Sequence, residues 1–337
     1  MSRPAVLVAC TTAIGDTLMS TPALAALAGS FTVDVLVHQL RRPLLENNPH
    51  IRRLYTYRSN LVFRTALALT VGRRHYHRLL IMHANPTFLP LLKHLHYDKA
   101  GNIQGYHYPS LGLSNVRVDD TAHTIDQRLA LAAWAGAEPN PGPMRIYLRS
   151  EETLQAVRWL RSCELEMQRP MVAMCLGTAQ PQKFWPAERF GQVARALMED
   201  GAQVVVVGSR DEVHLFRRAE KKAGRPLVPV LGMDLRFSSA LLAQMDLLVT
   251  CDTGPMHMAV AMDTPVLAIF GPTSPDVFGP RGDCHRVICL PTTCHPCLAR
   301  ACPQPRRPEC LLALEPEQVI AEARAMLEAR RTSRYES

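Results

Sequence analysis

The sequence predicts an α/β fold built as two doubly wound, Rossmann-like domains. Its 337 residues exceed one ordinary domain and suit two of about 150 residues each. Apolar residues make up 47% of the chain, enough for two cores. Short apolar runs also alternate with helix-period stretches from end to end, the pattern of parallel sheets covered on both faces.

In the first half, strands are predicted at 6–10, 33–38, 54–57 and 79–82, and helices at 17–28, 61–71 and 123–135. Each strand is a brief apolar run bounded by polar or turn residues, as buried parallel strands are. The opening residues, Met1 to Cys10, have an apolar look but lead into Gly15-Asp16 without a small-residue cleavage pattern. They read as a first strand rather than a secretory leader, so a cytoplasmic protein is expected. The stretch Glu138-Pro139-Asn140-Pro141-Gly142-Pro143 punctuates the chain. A helix at 150–168 leads into the second half, which places the boundary near residue 165 and gives domains 1–165 and 166–314. Strands follow at 171–176, 203–207, 227–231, 247–251 and 266–270, and an amphipathic helix at 315–331 starts the final segment, 315–337. No uncharged apolar run reaches the roughly 18 residues of a membrane span.

Charge is unevenly spread. The net charge is +8, and residues 41–99 hold 11 Lys and Arg against two acids, Glu46 and Asp98, with seven histidines from His38 to His96. Such a face steers phosphate-rich partners towards the protein, or merely keeps it soluble. Nucleic acid is a poor candidate, because no binding motif for it is present and aromatic residues are only 6%.

The most telling stretch is the apolar run 247–251 followed by Asp252-Thr253-Gly254-Pro255-Met256-His257. A strand ends in a tight turn and a helix begins at once. Thr253 or Gly254 can cap that helix, and Pro255 suits its first turn because it has no N–H to lose. Free N–H groups and the positive dipole end make such a turn a phosphate site, or simply an ordinary capped helix. The segment 265–271 with Pro272-Thr273-Ser274-Pro275 repeats the strand-then-loop design. Two adjacent loops at strand ends favour a ligand crevice.

Four motifs carry a family resemblance. They are Thr11-Thr12-Ala13-Ile14-Gly15-Asp16-Thr17-Leu18, Gly177-Thr178-Ala179-Gln180-Pro181-Gln182-Lys183-Phe184-Trp185-Pro186, Gly208-Ser209-Arg210-Asp211-Glu212, and Asp252-Thr253-Gly254-Pro255-Met256-His257 with Gly271-Pro272-Thr273 and Gly279-Pro280-Arg281-Gly282 behind it. In this order they resemble glycosyltransferase family 9, the ADP-heptose:lipopolysaccharide heptosyltransferases and their relatives. The resemblance implies two domains facing each other in the GT-B arrangement. The second would hold a nucleotide sugar and the first an acceptor, with the last helix packing back on the first.

Sugar transfer needs a base for the acceptor hydroxyl and stabilisation of the departing diphosphate. Asp16 follows Gly15 after the first strand; by pattern it caps the helix at Thr17, whereas the resemblance makes it the general base. Lys183 lies between a strand and a helix. By pattern it is a surface lysine, whereas the resemblance places it with Thr178 on the diphosphate. Glu212 either accepts from the ribose hydroxyls or favours the helix dipole in a first turn. The resemblance carries Thr12 and Met233 over as donor-binding positions, Met233 at the adenine. It sets Asp252 at the sugar or the loop, and Thr253, Gly254 and His257 round the diphosphate. Trp185 is expected to serve packing. No Asp-x-Asp pair stands at a strand end near these loops, so catalysis without a cofactor or divalent cation is expected.

Ten cysteines are too many for structural disulfides in a cytoplasmic protein. Cys10, Cys163, Cys175 and Cys251 lie in or next to apolar patterns. The others gather in a loop at 284–310, ending in Cys294, Cys297, Cys302 and Cys310. Four thiolates so spaced can close a structural Zn²⁺ site or hold iron, and free thiols are the alternative. The whole implies an inverting transferase moving heptose from ADP-heptose to the anionic lipopolysaccharide inner core, peripheral at the cytoplasmic face of the inner membrane. A protein acceptor, another nucleotide sugar, or a metal-stapled nucleic-acid binder are the competing readings.

Overall fold

The computed structural model describes residues 3–58, 60–83, 89–103, 113–138, 142–297, 302 and 309–335. The chain divides into two compact units, Met1–Tyr147 and Leu148–Ser337. Each is taken by itself.

The first unit runs β1 (Ala5–Cys10), α1 (Ile14–Leu18), α2 (Thr21–Ser30), β2 (Thr32–His38), β3 (Arg53–Tyr57), α3 (Leu61–Val71), β4 (His75–His83), β5 (His96–Ile103), β6 (Ser114–Val116) and α4 (Thr124–Ala135). Its six strands pair in parallel in the order β3-β2-β1-β4-β5-β6. That is the doubly wound order, with its switch point between β1 and β4. Alternation along β1 sends Val6, Val8 and Cys10 into one core and Leu7 and Ala9 into the other, so both faces are covered. The predicted helix at 17–28 resolves into α1 and α2. Pro22 falls in the first turn of α2, where its missing N–H costs nothing. Strands β5 and β6 escaped prediction, because the first halves of both are polar and mostly exposed, and β4 starts earlier than expected. Residues 139–141 of the predicted Pro-rich stretch lie outside the described residues.

The second unit runs α5 (Ser150–Ser162), β7 (Met171–Cys175), α6 (Ala187–Glu199), β8 (Gln203–Gly208), α7 (Val213–Ala223), β9 (Val228–Leu231), α8 (Leu235–Leu242), β10 (Leu247–Cys251), α9 (Gly254–Ala261), β11 (Val266–Phe270), α10 (Pro275–Phe278), β12 (Arg286–Cys289), α11 (Glu309–Leu312) and α12 (Pro316–Tyr335). Its parallel order, β12-β11-β10-β7-β8-β9, repeats that of the first unit, with the switch point between β7 and β10. Trp185 is fully buried in this core. It meets Phe190 edge-on at 4.9 Å and donates its indole N–H to the Leu314 carbonyl at 3.2 Å, the packing role its sequence suggests.

The compact units divide at a different point from the expected boundary. Helix α5 belongs to the second unit, so the division falls after Tyr147 rather than near 165. Its buried Ala156 and Leu160 face that unit, Trp159 stands edge-on to Phe237 at 5.8 Å, and Glu152 pairs with Arg236. Helix α12 belongs to the second compact unit. Val319, Ala323 and Met326 complete the second core, and Arg324 pairs with Asp200 at 2.7 Å.

Candidate functional site

Functional side chains gather at the switch point of each sheet, beyond the carboxyl ends of the strands. In the first unit the chain leaves β1 at Cys10 and enters α1 with Asp16 in its first turn. The Thr12 hydroxyl donates to Asp16 Oδ2 at 3.0 Å. Arg128 reaches in from α4 and donates from Nη2 to Oδ1 at 3.0 Å. His83, the last residue of β4, places Nε2 at 3.8 Å from Oδ2. The Arg128 side chain is 1% exposed, whereas Asp16 keeps 20% of its side chain open. Burial works against the charged carboxyl. Arg128, His83 and Thr12 outweigh it and hold Asp16 below the ordinary aspartate range. Asp16 is thus a charged, partly open carboxylate. It is not the cap its position suggests, because the N-cap of α1 is Ala13.

In the second unit β7 ends at Cys175 and the chain passes Gly177 and Thr178 into a 3₁₀ turn, Pro181–Lys183. Lys183 Nζ lies 2.5 Å from Asp252 Oδ2 just past β10, and Thr273, past β11, donates its hydroxyl to the same oxygen at 2.8 Å. Three strand ends therefore meet at one carboxylate oxygen. Thr253 is the N-cap of α9, but its side chain makes no capping bond; its Oγ1 lies 3.2 Å from that of Thr250. The first turn of α9 thus keeps N–H groups that the Thr253 side chain does not take, and Pro255 stands among them. His257 is buried in the same helix, 4% exposed. Thr178 Oγ1 accepts from the Gln180 N–H at 3.2 Å.

Glu212 is held by its neighbours' lack of side chains. A Cβ on Gly177 would fall 2.2 Å from the Glu212 carboxyl carbon, and one on Gly208 would fall 2.2 Å from Oε2. The same oxygen accepts from the Ser209 N–H at 3.3 Å in a capping box. Burial lifts the Glu212 carboxyl above its ordinary value. Both readings of this residue are therefore compatible: it closes a helix start and it lies on the strand ends. Met233 follows Gly232, whose φ of 71° favours glycine, and is 41% exposed.

Residues 98–306, well over half of the chain, match glycosyltransferase family 9 (heptosyltransferase). The chain belongs to glycosyltransferase family 9. It is 32% identical to lipopolysaccharide heptosyltransferase 2 of Escherichia coli K12 over 171 residues, 48% of each protein. It is 24% identical to lipooligosaccharide heptosyltransferase 2 of Haemophilus influenzae over 298 residues, 82% of this chain and 86% of that protein. The match to the first of these spans about half of that relative's length. The glycosyl transferase family 9 structure from Veillonella parvula superposes with a TM-score of 0.87 at 20% identity, covering 98% of both chains. The E. coli ADP-heptose lps heptosyltransferase II does so at 0.80 and 22%, covering 98% of this chain and 100% of that one. These likenesses show the shared fold, the two doubly wound units of the GT-B class.

Within this family 9 chain, the structure joins Thr12 to Asp16 in the first unit. It joins Lys183 to Asp252 in the second, with Thr253, Gly254 and His257 on the adjoining helix. Sequence reasoning missed Arg128, His83 and Thr273 as partners. Arg128 left a signal, since it interrupts the buried face Ile125, Leu131, Ala132, Ala135 of a predicted helix. His83 was one histidine among seven, and Thr273 stood in a quoted loop without a stated role.

The expected ion site at Cys294, Cys297, Cys302 and Cys310 finds no support. Among the described residues no three His, Cys, Asp or Glu side chains are arranged to hold a metal. Burial and the neighbouring Cys294, Cys297 and Cys302 thiols push the Cys310 thiol up to about 11. These thiols are close enough to influence one another. Residues 298–301 and 303–308 lie outside the described residues. Among the described residues no helix is long and apolar enough to cross a membrane.

Proposed function

We propose that this family 9 protein is an inverting heptosyltransferase that moves heptose from ADP-heptose to the lipopolysaccharide inner core. The observation that carries the reading is Lys183 fixed on Asp252 at the β7/β10 switch point, beside the first turn of α9. An ammonium has three N–H donors. One goes to Asp252, which leaves two for the diphosphate, and the N–H groups of α9 add to them. The relatives named for heptose transfer to lipopolysaccharide or lipooligosaccharide supply the sugar and the acceptor.

In this reading the acceptor hydroxyl loses its proton to Asp16 while its oxygen attacks the anomeric carbon. The bond to the diphosphate breaks on the opposite side, which inverts that centre. Arg128 and Thr12 orient Asp16 and keep it charged, and its open fraction admits the hydroxyl. Lys183, Thr178, Thr253, Gly254 and His257 stabilise the departing ADP, with Glu212 at the ribose and Met233 at the base. Because Lys183 and the α9 turn meet the developing charge, turnover is expected to survive EDTA without a divalent cation. The basic excess over residues 41–99 supports peripheral contact with the anionic cytoplasmic face of the inner membrane.

The test is thermal stabilisation by ADP, ADP-heptose, UDP and GDP, with and without Lys183→Ala, followed by turnover of Asp16→Asn. Stabilisation by ADP and ADP-heptose alone, lost in Lys183→Ala, is expected. Asp16→Asn is expected to bind donor and lose most turnover. A response to UDP or GDP would replace the sugar donor, and no response to any nucleotide would overturn the reading.

A further inference from the structure

The described part of the cysteine-rich segment is tied to the donor-side cluster. The Cys297 N–H donates to the Pro272 carbonyl at 2.9 Å. His295 Nε2 lies 3.0 Å from the Thr273 carbonyl oxygen and 3.4 Å from Cys289 Sγ. A carbonyl only accepts, so the tautomer these neighbours require carries its proton on Nε2. Burial and the Asp276 carboxylate keep the Cys289 thiol above its ordinary value, so its sulfur meets that N–H as a neutral, weak partner.

Thr273 is consequently held at two points. Its carbonyl takes the imidazole N–H, and its hydroxyl donates to Asp252 Oδ2 at 2.8 Å. That is the oxygen on which Lys183 Nζ rests at 2.5 Å. A line of contacts thus runs from the cysteine-rich segment to the lysine: His295, the main chain and hydroxyl of Thr273, Asp252, Lys183. Pro272 and Thr273 form the loop after β11, and two independent bonds from residues 295–297 fix its main chain. A hydroxyl aimed from a fixed loop leaves Asp252 a single orientation, and a fixed Asp252 directs two of the three ammonium protons of Lys183 away from itself.

We propose that His295 is a positioning residue for the diphosphate clamp, acting through Thr273 and Asp252 on Lys183, so that the cysteine-rich segment braces the donor site. This rests on the reading of Lys183 as a diphosphate ligand. The brace gives a purpose to a segment with few apolar residues of its own. Its work is geometric. The segment does not touch the diphosphate; it keeps Lys183 pointed at it.

The experiment is calorimetric ADP binding to the full chain as wild type, Lys183→Ala, His295→Ala, His295→Asn, His295→Gln, Thr273→Val and His295→Ala/Thr273→Val, each checked by thermal unfolding. His295→Ala and His295→Asn are expected to weaken ADP about fivefold, the worth of one ordinary hydrogen bond. His295→Gln extends an amide N–H to the position of Nε2 and is expected to stay within about twofold of wild type. Thr273→Val should weaken ADP as well, and the double variant should bind no worse than Thr273→Val alone. Wild-type affinity in both His295→Ala and His295→Asn, equal loss in His295→Gln, or additive losses in the double variant would overturn the brace. Should His295→Ala fail to fold, the contrast between His295→Asn and His295→Gln decides. If wild type binds no ADP, or Lys183→Ala binds as tightly, the donor-site reading itself fails and the brace falls with it.

Discussion

Arg128→Met removes the permanent charge beside Asp16 while keeping a side chain long enough to fill the same space. Arg128 is 1% exposed and Asp16 is 20% exposed. Removing one member of a fully buried pair costs about 3–5 kcal/mol, because the other charge loses its compensation. Here Asp16 retains some water, the Thr12 hydroxyl at 3.0 Å and His83 at 3.8 Å. About 2–3 kcal/mol is therefore expected, or roughly 8 °C in the unfolding of a unit of this size. Asp16→Asn/Arg128→Met leaves neither charge and should recover most of that loss, since a neutral pair of similar volume is close to neutral in stability. The pH dependence has a fixed sign. Asp16 is held below its ordinary value in the folded protein, so its stabilisation is present above the ordinary carboxylate range and is lost as pH falls through the folded value. Without Arg128 that stabilisation shrinks, and the acid limb of kcat/KM moves to higher pH. The assays are urea unfolding of the four proteins of the cycle near neutral pH and a pH profile of turnover. Additive losses in the cycle together with an unmoved acid limb would refute the pairing.

Gly177→Ala puts a methyl group 2.2 Å from the Glu212 carboxyl carbon. It should displace that carboxylate and weaken ADP roughly tenfold, with pyrophosphate binding kept, as calorimetry would read; equal ADP affinity would disconnect Glu212 from the nucleoside. His285 is buried and held down to about 4 from an ordinary 6.5, and its Nδ1 accepts from the Val266 N–H at 3.2 Å. Its neutral form is the one the fold accepts, so stability should fall by up to about 3 kcal/mol between pH 6.5 and 4. In His285→Asn, which keeps an acceptor without titrating, urea midpoints should lose less over that range; identical losses would refute it. Trp185→Ala should cost about 3–5 kcal/mol in urea unfolding. Trp185→Phe should cost far less, because Arg189 also donates to the Leu314 carbonyl.

What the sequence disclosed depended on whether a residue's neighbours in the chain were also its neighbours in space. Strands β7, β10 and β11 were legible because each is an unbroken apolar run buried on both faces. The polar start of β5 hid it, since only Ala100 to Ile103 are buried and the rest reads as loop. The turn at Asp252 to His257 was legible as a phosphate site because strand end, cap and proline follow one another locally. Its partners were not: Lys183 reaches Asp252 across 69 positions, and Thr273 across 21. The division of the chain was misplaced for a related reason. Amphipathicity shows that α5 buries a face, and only the fold shows that the face belongs to Phe237 and Arg236.

Arg128 marks the border between the two kinds of information. Its position in the apolar stripe of α4 is visible in the sequence, and a buried arginine requires a negative partner close by. The requirement is strict, because an uncompensated guanidinium in that core would cost more than any other single feature of the helix. The partner, however, lies 112 positions away. A partly buried carboxylate held by so distant a cation is compensated and oriented only when β1, β4 and α4 are all in place. The same assembly that completes the first core therefore aims Asp16, and a variant that loosens α4 should lower turnover before it unfolds the unit.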